Sequence, residues 1–203
     1  MEITFIVFFS YFSGSIPFGL ILTKIFIDQD VRKIGSGNIG ATNVLRSGNK
    51  FLATLTLILD ILKGYVPVVM TQHFFPEQLH LSALMAFLGH VFPIWLKFKG
   101  GKGVATYLGI LLAFSYGLGI LFIFTWVTIS LIFKYSSLSS MFSSFAVLVI
   151  NTFRENITGL IDPSFIFENN FTLILLIFFI LIIFTHRKNI SNLKNKTEQK
   201  IKI

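Results

Sequence analysis

Val104-Ala-Thr-Tyr-Leu-Gly-Ile-Leu-Leu-Ala-Phe-Ser115-Tyr-Gly-Leu-Gly119-Ile-Leu-Phe-Ile-Phe-Thr-Trp-Val-Thr-Ile-Ser-Leu-Ile-Phe133 is an apolar run without a single charge. As one helix its thirty residues would reach about 45 Å, against a bilayer hydrocarbon core of about 30 Å. Two readings are open: one strongly tilted helix, or two short helices that turn at Ser115-Tyr-Gly-Leu-Gly119. The choice decides whether the chain crosses a membrane six or seven times.

The remaining apolar segments lie near residues 3–23, 51–71, 79–96, 138–153 and 169–185. With two helices in 104–133 and the N-terminus outside, the inner side receives Lys24, Arg32, Lys33, Arg46 and Lys50 from the first loop. It also receives Lys97, Lys99 and Lys102, then Lys134, and finally Arg187, Lys188, Lys194, Lys196, Lys200 and Lys202. That is fifteen of the 17 basic residues. Arg154 falls outside and Lys63 lies within a span. Six spans would turn Lys134 and the basic tail outward, which the positive-inside bias strongly disfavours. The expected fold is therefore all-α and polytopic, with seven transmembrane helices, the N-terminus outside and the C-terminus cytoplasmic. Polar glycine-rich loops would form a site on the cytoplasmic side.

Composition agrees. The 203 residues are 54% hydrophobic and only 13% charged, where a soluble domain carries about 25% charged residues. Polar surface is too scarce for a water-soluble body, and residues 1–203 are expected to form a single integral-membrane domain. The first span lacks a basic start and holds Gly14-Ser-Ile-Pro17 near its middle, so it does not read as a cleavable signal. The net charge of +8 gathers at membrane margins, where it marks topology or attracts anionic lipid and substrate. No nucleic-acid module is recognisable. With no cysteine in the chain, thiol nucleophiles and cysteine metal sites are excluded, and no histidine or carboxylate cluster has metal-ligand spacing.

Two basic, glycine-rich stretches interrupt the apolar chain: Gly35-Ser-Gly-Asn-Ile-Gly-Ala-Thr-Asn-Val-Leu-Arg46 and Phe98-Lys-Gly-Gly-Lys-Gly-Val-Ala-Thr106. Gly35-x-Gly-x-x-Gly40 matches the dinucleotide fingerprint, and Asp60 even sits about 20 residues on, as that fingerprint requires. The fingerprint needs a strand, a turn and a helix, whereas this stretch follows a membrane span and Asp60 lies in the next one. Lys99-Gly-Gly-Lys102 has no hydroxyl residue after its lysine and is no Walker loop. What remains is a set suited to an anion: glycines, Ser36, Thr42, Asn38, Asn43, Arg46 and Lys102. A packed glycine turn is the alternative, and Lys97 reads best as a topology charge.

Other polar residues carry weaker signals. His90 reads as a packing or hydrogen-bonding residue. His186 and Asn189, three apart, share a face where the last span ends. Asp60 and Lys63 form an expected internal ion pair, since charges within a span usually pair toward the bundle interior. Ser136-Ser-Leu-Ser-Ser140 is of a kind that joins membrane helices. There is no Gly-x-Ser-x-Gly elbow, and no histidine is followed five residues later by aspartate. A transporter for phosphorylated solutes could use the same anion site, although no internal repeat is visible. A structural subunit would leave Arg46 and Lys102 without a purpose.

These motifs carry a family pattern. The chain resembles the bacterial acyl-phosphate:glycerol-3-phosphate acyltransferases of the PlsY family. The likeness runs through Gly14-Ser-Ile-Pro-Phe-Gly19, Ser36 to Arg46, Asp60-Ile-Leu-Lys-Gly64 and Gly89-His-Val-Phe-Pro93. It continues in Phe98 to Thr106, Ser137-Leu-Ser-Ser140, His186-Arg-Lys-Asn-Ile190 and Glu198. In the tail, Lys188 stands where the family usually has an acid, and Ser191-Asn192 replace basic residues. The resemblance implies a multi-pass protein of the bacterial inner membrane with its active site on the cytoplasmic side. It implies acylation of the 1-hydroxyl of glycerol 3-phosphate by a fatty acyl phosphate, without a cofactor or metal. An acyl-phosphate-forming enzyme would act upstream. It also implies that Ser36, Arg46, Lys102, His186 and Asn189 are catalytic. Gly37, Asn38, Gly40, Ala41, Thr42, Asn43, Gly100, Gly101, Gly103 and Ser137 would bind substrate. His186 or a substrate phosphate oxygen would take the hydroxyl proton.

Overall fold

Ser115 takes an extended conformation (φ −165°, ψ 129°) and divides the 104–133 run into two helices. In the computed structural model, which describes residues 1–161 and 171–201 (157–161 by backbone alone), α6 is Val104–Phe114 and α7 is Tyr116–Phe133. Gly117 and Gly119, expected in the turn, are helical. Before them come α1 (Glu2–Ser15), α2 (Phe18–Ile27), the short α3 (Ala41–Leu45), α4 (Lys50–Phe74) and α5 (Leu79–Val91). After them come α8 (Ser136–Ile161), α9 (Thr172–Thr185) and α10 (Arg187–Lys194). No strand occurs among the described residues.

Among the described residues, five segments are long and apolar enough to cross a bilayer: 2–27, 50–74, 76–96, 116–133 and 136–156. A sixth is obtained by joining α9 and α10 across a 57° bend. The eleven residues of α6 reach about 16 Å, roughly half a hydrocarbon core. On length alone α6 is what separates this fold from the seven spans expected. The expected start of the last span, at 169–170, lies outside the described residues.

The chain forms two units, Met1–Ser115 and Tyr116–Ile203. In the first, proline shapes the spans and polar side chains repair the result. Pro17 breaks the first span between α1 and α2, and Lys63 Nζ donates to the Ile16 carbonyl at 2.7 Å. Pro67 lies inside α4; lacking an N–H, it leaves the Lys63 carbonyl without its helical donor. Ser13 Oγ donates to that carbonyl at 3.3 Å. In lipid such groups must find partners within the protein.

Glycine permits the closest helix crossings. A Cβ on Gly64 would lie 2.3 Å from the Thr106 carbonyl oxygen, and one on Gly109 would lie 2.0 Å from that of Ile61. Hence α4 and α6 meet backbone to backbone, as small residues allow in membranes. A Cβ on Gly14 would similarly meet the Ala86 carbonyl at 2.0 Å, bringing α1 onto α5. Ser10 and Ser82 share a buried hydrogen bond of 2.9 Å across the same pair of helices. Phe5, Ile25, Phe51 and Ile58 instead stand exposed along the helices, as lipid-facing side chains do.

In the second unit α7 and α8 are joined through Lys134, a left-handed residue (φ 61°). Trp126 Nε1 donates to Ser140 Oγ at 3.1 Å, so the serine run does link helices. Glu155, buried on α8, accepts from Asn151 Nδ2 and from the Phe171 amide at the start of α9, and Thr172 Oγ1 also donates to it.

Candidate active site

The loop between α2 and α3 is pinned by its apolar residues. Val31, Ile39 and Val44 are buried in one cluster with Leu20 and Leu22 of α2 and Leu52 and Ala53 of α4. Gly19 lets the Ile39 carbonyl approach: a Cβ there would be 2.0 Å from its oxygen. Asn43 then closes the loop from inside. Its Oδ1 accepts from the Ser36 amide at 2.9 Å and the Ser36 hydroxyl at 3.2 Å. Its Nδ2 faces the carbonyls of Val31, Ile34 and Asn38 at 2.8–2.9 Å, three acceptors for two hydrogens. At 1% exposure, the Asn43 side chain is the loop's brace and faces inward.

Gly35 (φ +51°) and Gly37 (φ +72°) supply the left-handed turns, and the Gly35 position leaves room for the Arg46 stem, whose Cδ would be 2.7 Å from a Cβ there. Arg46 lines a cavity of about 760 Å³ with Lys24, Asp28, Gln29, Asp30, Lys33, Ile34 and Ser47. Asp30 is taken up by Arg32, through Nε at 2.9 Å and Nη2 at 2.7 Å. The side-chain hydrogen bond from Arg32 holds the Asp30 carboxyl well below the usual carboxylate range. Against Asp28, the other acid of the lining, Lys24, Lys33 and Arg46 leave the cavity a cationic excess. Ser36 is exposed on the loop, Asn38, Gly40, Ala41 and Thr42 are half-buried, and the Gly37 amide is bonded to the Ile34 carbonyl.

The second basic stretch is a turn between α5 and α6. Lys97 (φ 52°) and Phe98 (φ 61°) start it in left-handed geometry, and Gly103 (φ +80°) ends it. The Gly100 and Gly101 amides donate to the Val91 and His90 carbonyls at 3.0 and 3.1 Å. The three glycines fit against α5 and the residues just after it. A Cβ would lie 2.1 Å from the His90 carbonyl oxygen at Gly100, 2.0 Å from His90 Nε2 at Gly101, and 2.3 Å from the Phe87 ring at Gly103. These glycines therefore hold the turn on α5, and Lys102, half-buried, is carried between them.

In the second unit, His186 sits at the bend between α9 and α10, and Asn189 lies one turn on, in α10. His186 Nδ1 is 2.8 Å from the Ile182 carbonyl. A carbonyl only accepts, so Nδ1 carries the proton, and in the neutral ring Nε2 holds the lone pair. Glu198, which the sequence did not single out as a site residue, collects the others. Its Oε1 accepts from Ser137 Oγ at 2.8 Å and Asn189 Nδ2 at 2.6 Å, and its Oε2 accepts from Asn192 Nδ2 at 3.3 Å. The tail is tied down beyond it by the Ile201 amide on the Lys134 carbonyl at 2.7 Å. The structure thus brings Ser137 and Asn189 together, and sets Ser36 on Asn43. Arg46 and Lys102 lie on separate loops of the first unit.

Long apolar helices, a buried intramembrane ion pair of Asp60 and Lys63, and polar loops rich in cations define a helical integral membrane protein. A sequence profile described as "Glycerol-3-phosphate acyltransferase" matches residues 4–196. The glycerol-3-phosphate acyltransferase of Pelagibacter ubique is 51% identical over the full length of both chains. That of Mesorhizobium japonicum is 47% identical over 95% of this chain and 93% of its own. Among solved structures, PlsY, an integral membrane glycerol 3-phosphate acyltransferase, superposes in its glycerol 3-phosphate form with a TM-score of 0.85 at 32% identity. It covers 100% of this chain and 96% of the other. Its lysophosphatidic acid form gives 0.82, over 98% and 95%. The chain belongs to the glycerol-3-phosphate acyltransferase family and is an enzyme of phospholipid biosynthesis.

Proposed function

We propose that this enzyme transfers a fatty acyl group from an acyl phosphate to the 1-hydroxyl of glycerol 3-phosphate. The products are 1-acylglycerol 3-phosphate and inorganic phosphate. The observation that carries the reading is the cationic cavity at Arg46, built into a loop that Asn43 keeps rigid. The substrate and product forms named for the similar PlsY structures support the acceptor and the product. The donor is the one that the resemblance to the PlsY family implies, and the residue inventory suits it: two anionic headgroups must be oriented and neutralised, and an acyl phosphate needs no enzyme nucleophile because its leaving group is already good.

In this reading the hydroxyl oxygen attacks the acyl carbon, a new C–O bond forms, and the C–O bond to phosphate breaks. Arg46 and Lys102 meet phosphate oxygens, with the Gly37–Asn43 backbone, Gly100, Gly101 and Gly103 shaping their loops. Ser36, Ser137 and Asn189 contact hydroxyl or phosphate groups. The proton goes to His186 Nε2 or to a phosphate oxygen of the substrate; the Nδ1 bond to Ile182 favours His186. Residues 1–203 would act as one domain with seven spans, α6 included as a short one. The N-terminus would lie outside and the polar loops would face the cytoplasm of a bacterial inner membrane. Acyl phosphate would come from an acyl-phosphate-forming enzyme acting upstream.

The test is product formation from labelled glycerol 3-phosphate by purified enzyme in lipid, with acyl phosphate, acyl-CoA or acyl carrier protein as donor, and with chelator present. Acyl phosphate alone should support turnover. Equal rates from acyl-CoA, or none from acyl phosphate, would overturn the donor assignment.

A further inference from the structure

Asp60, Lys63 and His90 are 2–4% exposed, and the chemistry above uses none of them. Lys63 Nζ lies 2.6 Å from Asp60 Oδ1 while it donates to Ile16 at the break of the first span. Asp60 Oδ1 is in turn 4.0 Å from His90 Nδ1. The other nitrogen of that ring, Nε2, faces Gly101, where a Cβ would lie 2.0 Å away. One residue after Lys63, Gly64 abuts the Thr106 carbonyl, just beyond Gly103.

A pair of charges three apart on one helix can satisfy itself. Here Lys63 also reaches a carbonyl on another element, and the His90 ring packs between the pair and the basic turn, with Nδ1 4.0 Å from Asp60, beyond hydrogen-bond reach, and Nε2 against Gly101. A leucine would fill the place of His90 without the desolvation of two ring nitrogens. The stretch Asp60–Gly64 therefore meets the two helices that flank the turn, at His90 of α5 and at Thr106 of α6. On its far side it holds Ile16, three residues before Gly19, which seats the Ile39 carbonyl of the Arg46 loop.

We propose that Asp60, Lys63 and His90 are positioning residues that set the spacing between the Arg46 loop and the Lys99–Gly103 turn. The network indexes both loops to one turn of α4. This rests on the reading of Lys102 as a phosphate contact, and the experiment separates the two.

Because the chain has no cysteine, a nitroxide attached to Lys99→Cys reports the turn alone. Its spectrum is compared in the parent, in His90→Gln, and in the double variant Asp60→Asn with Lys63→Gln, which removes both charges together and leaves no unpaired ion. In both backgrounds the label should become more mobile with a thermal unfolding midpoint near the parent's. KM for glycerol 3-phosphate should rise about tenfold, equivalent to about 1.4 kcal/mol, with kcat within about twofold. Unchanged label mobility in both variants would overturn the inference. So would parallel losses in activity and folded fraction, the signature of a packing role. Lys102→Ala serves as the control: an unchanged KM there refutes the phosphate contact, while label mobility still decides the positioning role.

Discussion

Removing the Glu198 carboxylate should disable the second unit's polar cluster while its helices remain. Glu198→Ala deletes the acceptor for Ser137 Oγ at 2.8 Å, Asn189 Nδ2 at 2.6 Å and Asn192 Nδ2 at 3.3 Å. Hydrogen bonds to a charged group contribute roughly 1.5–3 kcal/mol each. The Asn192 bond is long and adds little. If the loss of one short bond is felt fully in the transition state, turnover falls roughly 10- to 150-fold. Glu198→Gln separates geometry from charge. Its amide oxygen can replace Oε1 and keep both short bonds, and its NH2 can meet the Asn192 oxygen after a flip of that amide. The glutamine variant should therefore recover most of the activity, within about tenfold of the parent, at the cost of the charge-assisted part of each bond. The assay is labelled lysophosphatidic acid formation at saturating glycerol 3-phosphate, alongside thermal unfolding to confirm folding. Parental activity in Glu198→Ala would refute the reasoning, as would a glutamine variant as damaged as the alanine.

Arg46→Lys should lower kcat/KM roughly 10- to 100-fold, chiefly through KM for glycerol 3-phosphate, because an ammonium cannot offer the planar fork that meets phosphate bidentately; Arg46→Ala should be worse, as steady-state kinetics would show. Asp30, whose carboxyl titrates below its unfolded value, contributes stability that is fully present above about pH 5 and is lost as the pH falls through the folded value. The thermal midpoint of Asp30→Asn should therefore lie slightly below the parent's at neutral pH, a difference worth under about 1 kcal/mol for so exposed a pair, and the gap should begin to narrow below about pH 4 and close only as the pH falls through the folded value. Gly109→Val places carbon against the Ile61 carbonyl and should force α4 and α6 apart, costing about 1–3 kcal/mol in detergent unfolding, whereas Gly48→Ala, with open space at its Cβ but a φ of +87°, should cost only its backbone strain of about 1 kcal/mol.

Much of this architecture is legible in the chain because long apolar runs have few alternatives in water. The division of 104–133 was readable from helix length and from the side of Lys134, and Ser115 is where the helix ends. The glycine motifs were readable as loops, but not the direction their residues face. Asn43 looks like a ligand contact in a list of polar residues; its inward turn depends on Val31 and Ile34 folding back over it, which no local spacing encodes. Gly100 and Gly101 looked like backbone bared for a phosphate, yet their amides and Cα faces are used against α5. Glu198 lies sixty-one residues from Ser137, and only the tail's return to Lys134 makes them neighbours. One signal lay in the chain itself: Pro67 stands four residues after Lys63, and its missing N–H announces a carbonyl that some side chain had to satisfy.

The bond from Lys63 to Ile16 bears on how the protein is made. A lone α4 would carry two charges into the hydrocarbon, and insertion scales place each at about 2.5–3.5 kcal/mol near a helix centre. Its acceptor sits in the segment synthesised immediately before it, and Ser13 in that segment meets the carbonyl that Pro67 strands. A second segment that enters the bilayer beside the first would meet those partners at once. Insertion of the first two crossings as a hairpin would satisfy these groups together, whereas a chain lacking the first would leave Lys63 without the partners that Ile16 and Ser13 supply.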